Sequence, residues 1–204
     1  MLFEDKDSEV ISLKFSDSYS IFKENPDKLL VAITFDDGYK NNLHTVAPIL
    51  LDYGFPFTVF LTVENLDIPS SEYLSRKELI ELASLPGVSI GSHGVHHSQM
   101  TELGDQDLRA ELEDSRSVIE DIIGKKVDML SYPHGKTDQR VRDTALDLGY
   151  RLGAGSRFGT NLEDADPMGL KRIELWSTDS RDIFRQKYSG AWDWYGYWQK
   201  LRGL

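Results

Sequence analysis

Short apolar runs alternate with amphipathic helical stretches along nearly the whole chain, and this rhythm limits the fold more than any other feature. Leu29–Phe35 is a continuous apolar run closed by Asp-Asp-Gly, the pattern of a strand buried on both faces. Residues 41–53 then set Leu43, Val46, Ala47, Leu50 and Leu51 on one helical face, with Gly54 at the C-cap position. A second strand is predicted over 55–62. Ser75 and Glu78 form a capping box before a helix carrying Leu79, Ile80 and Leu82, and Gly87 precedes a third strand over Val88–Ser92. Asp105–Ile123 reads as a long amphipathic helix closed by Gly124. Strands over 127–132, 150–154 and 170–176, a helix over 138–148 and one or two terminal helices over 182–204 complete the series.

No fixed repeat, low-complexity tract or linker interrupts it, so residues 1–204 read as one layered α/β domain with parallel strands. A full eightfold barrel usually takes roughly 250 residues. The expectation is therefore a distorted, incomplete (β/α) barrel with about six or seven parallel strands.

Composition removes several function classes. With 34 acidic and 23 basic residues the net charge is −11, which disfavours a surface that neutralises nucleic-acid phosphates. There is no cysteine, so thiol nucleophiles, disulfide scaffolds and cysteine-held metals are excluded, and any metal is held by His, Asp or Glu. The apolar runs at 29–33 and 57–61 fall far short of the roughly 18 residues of a membrane span. The start of the chain is acidic and lacks the pattern of an export signal, so the sequence as it stands predicts a cytoplasmic location, and an extracellular or periplasmic one if its start has been trimmed. Nothing in the sequence fixes an oligomeric state.

In parallel α/β domains the ligand site lies at the carboxyl ends of the strands. Those positions are unusually polar here: Asp36-Asp37-Gly38, His93-Gly94-Val95-His96-His97 and Pro133-His134-Gly135, which include four of the five histidines. The four-residue spacing of His93 and His97 suits two nitrogen ligands of one metal, and a carboxylate would complete a facial triad that leaves positions open for water and substrate. Neighbouring aspartates on an extended strand point to opposite sides, which suggests that one binds a metal while the other serves as general base. Taken singly, Asp-Asp-Gly also suits a plain turn, and the histidine pair also suits the decoration of a helix start.

Thr34-Phe35-Asp36-Asp37-Gly38, His93-Gly94-Val95-His96-His97 and Ser131-Tyr132-Pro133-His134-Gly135 resemble, in order, the first three motifs of the polysaccharide deacetylases, carbohydrate esterase family 4. The resemblance covers residues 29–176. It implies a distorted barrel and metal-dependent hydrolysis of acetyl groups on sugars, with Asp36 as base. It also implies Asp37, His93 and His97 as ligands of a divalent metal, usually zinc, and the backbone N–H of His134 as oxyanion donor.

The departures are specific. Ser131 stands where the third motif often has an arginine that orients the base, and Arg172 is the candidate to replace it. No histidine follows His134, so the family's usual late general acid is missing, and His134 or His96 is the candidate substitute. Gly94 stands where a serine or threonine often braces the metal loop. His44 and the charged residues of the 105–121 helix are read as solvated surface. The aromatic-rich tail, with Trp192, Trp194, Tyr195, Tyr197 and Trp198, is expected to dock the terminal helix or meet a partner, with stacking on sugars as the alternative.

The leading functional expectation is a deacetylase acting on an N-acetylated carbohydrate of the cell envelope or an exopolysaccharide. The alternatives are a metal-containing glycan-binding module and an amidase acting on peptidoglycan or another amide.

Overall fold

A computed structural model describes residues 8–13, 29–68 and 72–201. The extreme N-terminus and residues 202–204 of the predicted terminal helix lie outside the described residues. Six parallel strands, β1 (Ser8–Ile11), β2 (Leu29–Phe35), β3 (Phe57–Leu61), β4 (Val88–Ser92), β5 (Met129–Ser131) and β6 (Leu152–Ala154), form one sheet in sequential order. The helices are α1 (Ala47–Asp52), entered through a wide turn at Asn42–Val46, α2 (Arg76–Ser84), α3 (Asp105–Ile123), α4 (Gln139–Asp147), α5 (Arg181–Tyr188) and α6 (Asp193–Leu201).

Consecutive strands lie side by side in the sheet, an order in which right-handed crossovers keep the connecting helices on one face. Ser12 Oγ lies 3.3 Å from Ser89 Oγ. On a flat sheet, β1 and β4 would be separated by three strand spacings, about 14 Å, so the sheet is strongly curled. It is a curled half-barrel with helices, the distorted α/β barrel expected.

The main core lies between strands and helices. Phe57, Val59 and Leu61 meet Leu79, Leu82, Leu108 and Leu112, all nearly inaccessible. Phe60 points the other way and clusters with Met129 and Leu152, as the two-residue period of a strand requires. Between β4 and β5 the register consists of one pair, Ser92 with Leu130.

Two expectations are corrected. β1 was not foreseen, because its four residues, Ser-Glu-Val-Ile, carry almost no pattern alone and gain their ladder from β2. The predicted strand over 170–176 shrinks to one parallel bridge, Ala154 with Leu170. Beyond Leu170 the backbone turns to loop partners: Lys171 N–H donates to Asn161 Oδ1 and Arg172 N–H to the Arg157 carbonyl. Arg172 therefore sits on an extended loop segment.

The tail docks on the loop after β6. Gln199 Oε1 accepts from Phe158 N–H at 3.0 Å, and Asp193 Oδ1 from Thr160 N–H at 3.1 Å. Phe158 packs on Trp176, Trp192 and Tyr195. Fully buried Lys187 sits 3.8 Å from the Trp176 ring centre, its charge paired with Asp179 at 2.7 Å. Among the described residues, no helix is long and apolar enough to cross a membrane.

Candidate metal centre

Three strand ends build the site. β2 delivers Asp36 and Asp37. Asp37 and Gly38 both turn left-handed, and a side chain at Gly38 would collide with Leu61 on β3. β4 delivers His93, and the loop after it carries His97 back over the same spot. β5 delivers Ser131 and the turn holding His134. Three of the four non-glycine residues with positive φ among the described residues are Asp37, His97 and His134. Such conformations cost on the order of 1–3 kcal/mol each and gather at functional sites.

His93 is buried, and its Nδ1 lies 2.7 Å from the Ser131 carbonyl. A carbonyl only accepts, so Nδ1 carries the proton and Nε2 presents a lone pair to the site. The two Nε2 atoms of His93 and His97 are 3.1 Å apart, and each lies 3.7 Å from Asp37 Oδ1. Tetrahedral zinc with ligand bonds of about 2.0–2.1 Å holds its ligand atoms roughly 3.3 Å apart. The triangle of one carboxylate oxygen and two imidazole nitrogens therefore fits a divalent ion in both spacing and donor type.

Asp36 stands beside that triangle, its Oδ2 3.8 Å from His93 Nε2. Arg172 meets it with a two-pronged hydrogen bond, Nη1 to Oδ1 at 2.8 Å and Nη2 to Oδ2 at 2.7 Å. Ser131 Oγ donates to Oδ2 at 3.0 Å and accepts from Arg172 Nη2 at 2.9 Å, while Arg172 Nε is anchored on the Gly155 carbonyl. Burial pushes the Asp36 carboxyl upward. The hydrogen bonds and charge of Arg172, the nearby His93 and the Ser131 hydroxyl outweigh it, leaving the group below the usual carboxylate range. His93 is lowered mainly by its own burial, against the opposing pull of Asp36.

His134 is exposed, its ring 4.6 Å from that of His97. Among the described residues, no protein acceptor takes its backbone N–H. His96 is turned away from the triangle, with Nδ1 2.8 Å from Glu111 Oε2, and that carboxylate raises its proton affinity. The reading of the α3 charges as solvated is corrected at Glu111, which is 5% exposed. Leu108, Glu111, Leu112, Ser115 and Ile119 share the buried face of α3, so helical spacing from the leucines was the signal that could have found it. His44 is on the surface as expected, paired with Glu78.

Residues 23–153, well over half of the chain, match the family model of polysaccharide deacetylases. YxkH of Bacillus subtilis, placed by its name alone among polysaccharide deacetylases, is 28% identical over 152 residues, which are 74% of this chain and 53% of that protein. Chitin deacetylase 1 of Cryptococcus neoformans is 30% identical over 130 residues, 62% of this chain and 25% of its own length. The chain thus spans about half of the first relative and a quarter of the second. The structure of the Streptococcus pyogenes deacetylase PplD in complex with acetate superposes with a TM-score of 0.80 at 22% identity, covering 92% of this chain and 82% of that one, a likeness of fold. With the family model spanning most of the sheet that builds the site, the chain belongs to the polysaccharide deacetylase family, carbohydrate esterase family 4.

Proposed function

We propose that the protein is a metal-dependent hydrolase that removes acetyl groups from an N-acetylated carbohydrate of the cell envelope or an exopolysaccharide. The observation that carries this reading is the Asp36 carboxylate, held by Arg172 at 2.7 and 2.8 Å beside the Asp37, His93 and His97 triangle. A divalent ion in that triangle, zinc by the donor set, supplies Lewis-acid polarisation of the acetyl carbonyl and lowers the pKa of water.

The chain's own residues do the rest. Asp36 takes a proton from the attacking water. A carboxylate offers about four lone-pair directions; Arg172 and Ser131 use three, which leaves one on Oδ1 for that proton. Its lowered proton affinity keeps it ionised at neutral pH. The free N–H of His134 donates to the oxyanion that forms from the carbonyl. The His134 side chain, its ring 4.6 Å from that of His97, gives a proton to the departing amine from its imidazolium form and is reprotonated from solvent.

The test is acetate release from short N-acetylglucosamine oligomers by zinc-loaded protein. Asp36→Asn is expected to lower kcat by about 10²–10⁴-fold and His134→Ala by about 10²-fold. Turnover unchanged in His134→Ala would remove its imidazole from the mechanism. A second reading, motivated by Ser131 in place of the motif-three arginine and by the lack of a histidine within residues 135–204, is a glycan-binding module that keeps the metal. Zinc-loaded wild type that binds the oligomers without releasing acetate would support it. Release only from peptidoglycan fragments or another amide would move the substrate class.

A further inference from the structure

Of the three candidate ligands, His97 has the least support of its own. Asp37 follows directly from the end of β2, and its carbonyl accepts from Asn65 Nδ2 at 3.4 Å. His93 donates its backbone N–H to Leu61 at 2.7 Å, and Ser131 fixes its ring. His97 has no strand beneath it and a left-handed backbone (φ 55°). Among the described residues its hydrogen-bond, ion-pair and ring partners are other imidazoles and the Asp37 carboxylate. Its place is inherited from residues 94–96.

That short loop is tied from both sides. The carbonyls of Gly94 and Val95 accept from Val63 and Glu64 N–H, at 3.1 and 2.9 Å, and Gly94 N–H donates to Ser92 Oγ. Two N–H groups remain, those of Val95 and His96. Both donate to one oxygen of Glu111, at 2.8 and 2.7 Å, and the other oxygen accepts from His96 Nδ1 at 2.8 Å. Gly94 leaves room for this carboxylate: a Cβ there would lie 2.7 Å from Glu111 Oε1, and its φ of +83° suits glycine.

We infer that Glu111, from the middle of α3, is a positioning residue for the metal centre: its buried carboxylate pins the backbone that aims His97, and Gly94 leaves the space it occupies. The inference rests on the metal reading above. Among the described residues no hydrogen bond or ion pair joins Glu111 to Asp37, His93 or His97, so it acts through the loop. Without it, two part-buried N–H groups lose their acceptor and the loop is free to re-form around others, moving His97 out of the triangle.

The experiment measures zinc affinity by chelator competition, with the visible spectrum of the cobalt-substituted protein, on the whole chain. Glu111→Ala is expected to weaken zinc binding by about 10- to 100-fold and to alter the cobalt bands. Glu111→Gln, whose amide oxygen still accepts both N–H groups, retains most of the affinity. Gly94→Ala keeps the carboxylate but displaces it, and is expected to resemble Glu111→Ala. Glu113→Ala, exposed on the same helix, is expected to match wild type. Should Glu111→Ala fail to fold by circular dichroism, Gly94→Ala and the Glu111→Gln spectrum decide. Zinc affinity and cobalt bands equal to wild type in folded Glu111→Ala or Gly94→Ala would overturn the inference. Wild type that takes up no metal would instead overturn the metal reading on which it depends.

Discussion

Arg172 and Asp36 are 136 positions apart in sequence and form the tightest charged contact at the site. A guanidinium matches both carboxylate oxygens at once, and a lysine ammonium does not, so Arg172→Lys is not conservative here. In Arg172→Ala the burial of Asp36 continues to push its carboxyl upward while the largest opposing influence is gone. The base then stays protonated to a higher pH. The acid limb of kcat/KM against pH is expected to move to higher pH, and kcat at the plateau to fall by about 10²-fold through loss of orientation. An unmoved limb would separate Arg172 from the base. As candidates, Asp36, Asp37 and His93 were legible because they follow strand signals, and His97 through its four-residue spacing from His93. Glu111 was hidden because a carboxylate on a helix is ordinarily solvated, and only the loop above α3 provides the N–H groups that make its burial tolerable.

Elements were read best where the signals are local. α3 has its predicted bounds, with Gly124 left-handed at its end, and the capping box of α2 is present with both reciprocal bonds. Glu78 in that box is pulled down from an ordinary 4.5 to about 2, first by the Ser75 backbone N–H, then by His44 and the Ser75 hydroxyl. A carboxylate with a depressed folded value stabilises the protein fully above its unfolded value, and that contribution disappears as pH falls through the folded one. The urea midpoint is therefore expected to fall between about pH 4.5 and 2, and to fall less in Glu78→Gln. Parallel pH dependence in the two proteins would count against the box as the source. Strands were less legible where they are short: β1 and the stretch after Leu170 take their state from neighbours, which no period of three or four residues can encode.

At the scale of the whole molecule, the candidate metal triangle joins β2 and the β4 end across the intervening β3, so an ion bound there would tie the sheet together only in the folded state. Zinc at about 100 times its Kd is expected to add about 2.7 kcal/mol, which for a chain of this length raises Tm by about 5–11 °C. Thermal melts with zinc and with chelator check this, and His93→Ala is expected to erase the difference. The sequence by itself determined the alternation of buried strand and amphipathic helix, the parallel barrel-like class that follows from it, and the strand-end loops that carry the candidate site residues. Those follow from periodicity and turn residues, which act within a few positions. Arg172 was a candidate partner of Asp36 from the sequence, but the tertiary structure alone decided that the two meet, that Glu111 braces the histidine loop, that Ser8–Ile11 extends the sheet and that residues after Leu170 leave it. Each is a pairing between distant segments, and a hydrogen-bond donor or acceptor acquires its partner only when curling of the sheet brings the two together.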